Sequence, residues 1–66
     1  MNYSIQKLMD DFYRKISEDD FKMLETVSPD VAFNYVTFLY KKFYSAYPTG
    51  EVYEILFDRF HKRVAA

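Results

Sequence analysis

The chain has 66 residues, with seven Phe, seven Tyr, one Gly, two Pro, one His, no Trp and no Cys, and a formal net charge of −1 at pH 7. That length allows one domain, which would bury about 60% of the surface its unfolded chain exposes. The missing thiols exclude disulfides and thiolate metal sites, the single His excludes a His-rich metal centre, and the balanced charge supplies no global field that would recruit nucleic acid or acidic lipid.

Ile5, Leu8, Met9, Phe12 and Ile16 fall at i, i+3, i+4, i+7 and i+11, which predicts a helix over 4–16 with one apolar face. Asn2 or Ser4 can cap it. Asp10 with Arg14 and Asp11 with Lys15 are i,i+4 pairs in the favourable order, each worth about 0.2–0.5 kcal/mol. Ser17-Glu18-Asp19-Asp20 then has the form of an N-cap and an acidic first turn, predicting a second helix over 18–27 with Phe21, Leu24 and Val27 inward.

Ser28-Pro29-Asp30 is the clearest start signal in the chain: a hydroxyl at the N-cap, Pro at the first helical position and an acid behind it. It opens a third helix over 29–46, which ends before Pro48. Thr49 can cap a fourth helix over 50–64, with Tyr53, Leu56, Phe57, Phe60 and Val64 on its apolar face. No strand-like alternation competes with these patterns. The expected fold is all-α, a bundle of three to four short helices in one domain, with helix 29–46 at its centre.

That central helix carries aromatic residues on more than one side. Ala32, Val36, Leu39, Phe43 and Ala46 make one stripe, flanked by Phe33, Tyr40, Tyr44 and Tyr47 on one side and by Tyr35 and Phe38 on the other. A helix that is apolar over most of its circumference is normally buried on most sides. Three short neighbours are expected to cover it only in part. Two uses of these rings follow: a core whose Tyr hydroxyls reach water at its margins, or a docking surface built from Tyr35, Tyr40, Tyr44, Tyr47 and Tyr53. Tyr suits docking because it joins large area to few rotors and a polar tip.

Signals for chemistry are sparse. Ser4, Ser17, Ser28 and Thr49 sit where helix caps belong, His61 lies beside Lys62 and Arg63 near a helix end, and Gly50 is the sole Gly, so no Gly-rich phosphate loop exists. The carboxylates of residues 1–30 lack calcium-loop spacing and alternate with Lys7, Arg14, Lys15 and Lys22, the pattern of a solvated face. No catalytic, cofactor-binding or metal site is expected. Residues 1–30 carry four bases and seven acids (−3), and residues 31–66 five bases and three acids (+2).

The expected function is that of a small non-enzymatic regulatory or inhibitory protein that works by protein–protein contact, with a homodimer as one form of that contact. The alternative is a DNA-associated regulator contacting phosphates through Lys41, Lys42, Arg59, Lys62 and Arg63. The start of the chain has no apolar run of the secretory type, and the longest uninterrupted apolar stretch is three residues, as in Ile55-Leu56-Phe57. A span needs about 18 or more. A soluble cytoplasmic protein without a membrane segment is therefore expected.

Overall fold

The computed structural model describes residues 3–62, which form four α-helices and one π-helical turn: α1 (Tyr3–Lys15), α2 (Glu18–Thr26), α3 (Pro29–Tyr44), α4 (Gly50–Leu56) and the π-turn (Phe57–His61). The fold is all-α, as the periodicity predicts. The Asn2 cap and Val64 lie outside the described residues, and Ser4 stands inside the first turn of α1. Of the two anticipated pairs along α1, only Asp11–Lys15 closes to an ion pair among the described residues, at 3.8 Å.

The caps explain where α2 and α3 begin. The Ser17 hydroxyl accepts from the Asp20 amide at 3.1 Å, and the Ser28 hydroxyl from the Val31 amide at 3.4 Å, each satisfying an amide that lacks a partner within its helix. Thr49 occupies the N-cap of α4 without a side-chain bond. Gly50, the first residue of that helix, has φ 58°, a left-handed conformation that Gly adopts without the Cβ penalty.

α3 stops two residues short of the expected 46. Ser45 turns into the left-handed region (φ 60°, ψ 25°), and its amide closes on the Lys41 carbonyl at 2.8 Å. The fourth helix also departs from expectation. It changes from α to π after Leu56, and the Lys62 amide reaches back to the Phe57 carbonyl at 2.9 Å, an i→i+5 bond. Its buried line is Val52, Leu56 and Phe60, whereas Tyr53 faces outward at 42% exposure.

These helices enclose one core: Met9, Phe12 and Ile16 from α1 and its end, Leu24 from α2, Ala32, Phe33, Val36, Leu39 and Tyr40 from α3, and Val52, Leu56 and Phe60 from the last segment. Phe12, fully buried, is its aromatic hub. Its ring meets those of Tyr40 and Phe43 edge-on, with centroids 5.4 and 5.9 Å away. No helix among the described residues is long and apolar enough to cross a membrane.

Candidate functional site

The five tyrosines expected to form a docking surface divide into three kinds. Tyr40 is buried at 9% exposure, because Phe12 of α1 packs edge-on against its ring and Tyr44 lies 4.8 Å away, centroid to centroid. It is a core residue and leaves little surface for a partner. Tyr35 and Tyr44 are half-buried, and their hydroxyls are committed within the chain. Tyr35 donates to Asp20 Oδ1 of α2 at 3.2 Å, and Tyr44 to Asp11 Oδ2 of α1 at 2.7 Å. Each bond raises the tyrosine pKa, after partial burial as the larger cause; for Tyr44 the value is pushed up to about 12. The two act as struts that tie α3 to its neighbours.

Tyr47 and Tyr53 are the exposed pair. Tyr47, at 61%, lies just beyond α3, with the Lys41 ammonium 5.3 Å from its ring centroid. Tyr53 begins a ladder of rings along the last helical segment. It stacks on Phe57 at 6.2 Å, and Phe57 stacks on His61 at 4.4 Å, with interplanar angles of 18° in both cases. Phe33 of α3 meets all three rings edge-on, at 5.2, 5.4 and 5.9 Å. His61 Nε2 lies 2.7 Å from Asp30 Oδ1 in the first turn of α3. Together Asp30, Phe33, Asn34, Tyr53, Phe57 and His61 line an open cleft of about 410 Å³.

Among the described residues, the large exposed apolar side chains that tyrosine counting does not single out are Val31 and Phe38, at 51% and 58%. They stand seven positions apart on α3, nearly two turns, and so lie one above the other on its solvent side. Lys42 continues the line one turn further and Tyr35 sits beside it. Asp30, Asn34 and Lys41, all exposed, run along its flank. The surface signal in the sequence was already present, in the second flank of the helix that holds Tyr35 and Phe38. What periodicity did not reveal was which flank α1 would cover.

The basic residues do not form one patch. Lys41 and Lys42 stand in the last turn of α3, whereas His61, next to Lys62, touches Asp30 in the first turn. Eleven residues of helix, about 16 Å, separate those ends. Arg59, although exposed, lies over aromatic rings: its guanidinium carbon is 4.7 Å from the Tyr13 centroid, 5.5 Å from that of Phe60 and 6.0 Å from that of Phe21. Burial raises the Tyr13 pKa, an effect the nearby Arg59 charge partly offsets. Arg63 lies outside the described residues. Among those described, no group of three or more His, Asp and Glu side chains is placed to hold a metal ion.

Comparison with known proteins gives no match: no family model fits the chain, and neither a curated protein nor a solved structure is significantly similar to it.

Proposed function

We propose that the protein is a small non-enzymatic regulator or inhibitor that acts by docking on protein through the solvent side of α3. The observation that carries this reading is the exposure of Val31 and Phe38, 51% and 58%, on a helix whose other face builds the core. Apolar area of this kind on a chain of 66 residues stabilises an interface more than it serves a monomer. Asp30, Asn34, Lys41 and Lys42 supply a polar rim.

Tyr44, whose hydroxyl is committed to Asp11, is left out of the contact, whereas Tyr35, whose hydroxyl is committed to Asp20, takes part through its half-buried ring. A photoreactive phenylalanine analogue at position 38 tests it. In the native cells it should give a discrete cross-linked adduct, whereas the same analogue at Arg14, exposed on α1, should not. No adduct from either position, or equal labelling from both, would refute docking through this face.

A further inference from the structure

Resting on that reading, we infer that the occupant of the α3 face is a second copy of this chain, its α3 laid antiparallel across the first about a two-fold axis. The face is complementary to itself. An isologous interface requires that if residue i meets residue j, then j meets i. Along the exposed face the order is Asp30, Val31, Asn34, Tyr35, Phe38, Lys41, Lys42: an acid at the start, apolar and aromatic residues in the middle, bases at the end.

Two such faces laid antiparallel, with the axis between residues 36 and 37, place Tyr35 of each copy against Phe38 of the other and Val31 against Lys42. Asp30 and Lys41 are eleven residues apart, close to three whole turns, so they share one flank of the stripe. A two-fold axis perpendicular to both helices keeps that flank on the same side in both copies. Asp30 of one chain therefore comes beside Lys41 of the other, and the pairing occurs twice. The Asp30 side chain is 81% exposed even with His61 beside it, so its carboxylate is accessible to a second cation. A parallel pairing would instead set Lys42 against Lys42 and put the Asp30–Lys41 flanks on opposite sides of the pair, and the like charges brought together disfavour that register.

The flanking residues match this occupant in chemistry. Phe38 and Val31 supply the apolar centre, and the charges sit at the two ends, where a rim remains wet. The stem of Lys42 can lie along Val31 while its ammonium stays in water.

A chain with no native Cys makes the test direct. Sedimentation across a range of concentrations should show a monomer–dimer equilibrium for the wild type. Phe38→Asp should weaken it by roughly a hundredfold, in line with losing an interface anchor, and Lys41→Glu by a smaller factor, while circular dichroism stays unchanged in both. Single variants Val31→Cys and Lys42→Cys, mixed and oxidised, should form the mixed 31–42 disulfide quickly. The 42–42 and 31–31 disulfides should form slowly, because the antiparallel register holds each pair about 16 Å apart along the axis, against the roughly 7 Å limit between Cα atoms that a disulfide tolerates.

A 42–42 bridge forming as fast as the 31–42 bridge would overturn the antiparallel register. Dimerisation unaffected by Phe38→Asp would overturn the α3 face as its location. A protein that stays monomeric at high concentration would overturn the second copy as occupant. In that last case the adduct at position 38 separates the two claims: an adduct with a different protein upholds docking through this face, and no adduct removes both.

Discussion

The Tyr44 hydroxyl donates to the Asp11 carboxylate across 2.7 Å, joining the end of α3 to the middle of α1 over a sequence separation of 33 residues. With the Tyr35–Asp20 bond to α2, it gives α3 a polar tie to each of the two helices before it. Two of the tyrosines that composition marks for docking therefore serve the fold.

Removing that hydroxyl should be measurable. Hydrogen bonds to charged groups contribute about 1.5–3 kcal/mol, and the exposure of Asp11 takes this one below that range. Tyr44→Phe should cost about 1 kcal/mol, lowering Tm by about 4–8 °C for a domain of this size. Asp11→Ala combined with Tyr44→Phe should cost less than the sum of the two single changes. Strict additivity in a denaturant-unfolding cycle would show that the bond contributes nothing.

The same tyrosine sets an alkaline limit. Partial burial, the bond to Asp11 and the Asp11 charge push its pKa from 10.0 up to about 12, so the unfolded chain releases this proton first. Stability from this group is fully present below about pH 10 and is lost as pH rises toward 12. Tyr35 and Tyr13 are shifted in the same direction. A spectrophotometric titration should show some tyrosines ionising before the fold is lost and others only with it. Tyr44→Phe should flatten the fall in stability over that range, and an unchanged fall would contradict the assignment.

Substitutions at positions 38 and 40 should separate surface from core. Tyr40→Ala removes a buried ring packed on Phe12 and Tyr44, at a cost of about 3–5 kcal/mol. A core of this size supplies little more in total, so the variant should be largely unfolded by circular dichroism. Phe38→Ser, at a position 58% exposed, should change the stability of the monomer, measured at dilution, by no more than about 0.5 kcal/mol. Comparable losses at both sites would mean that the solvent face of α3 is not free.

Arg59 should behave as a packing residue. Its guanidinium lies over Tyr13, Phe21 and Phe60, so Arg59→Ala should cost about 1 kcal/mol. Arg59→Lys should restore only part of this, because a compact ammonium lacks the planar stacking surface. Full recovery with Lys would show that charge alone matters there.

Local chemistry made the helix starts legible. Ser17 and Ser28 announce caps, and Pro29 fixes the first turn of α3. The end of α3 was not legible, because Ser45 enters the left-handed region where Gly or Asn is the usual signal. Nor could the pattern place Tyr40 inside and Phe38 outside. Both stand off the main apolar stripe, and the choice was made by Phe12, 28 residues before Tyr40, whose ring occupies only one flank. Such a choice depends on a distant partner, and no window of sequence around α3 contains it. The partly exposed face was foreseeable from composition, but its composition was not: Val31 and Phe38 carry it.

The π-turn gives the last segment a dependence on length as well as on side chains. It holds one residue more per hydrogen-bonded ring than the α-helix before it, with the Lys62 amide closing on Phe57. Deleting one residue between Phe57 and His61 would close the segment into ordinary i→i+4 rings and shorten the spacing of those two residues from i,i+4 to i,i+3. His61 would then leave the face of Phe57 and the carboxylate of Asp30 together. This stretch should therefore accept changes of side chain more readily than a change in residue number.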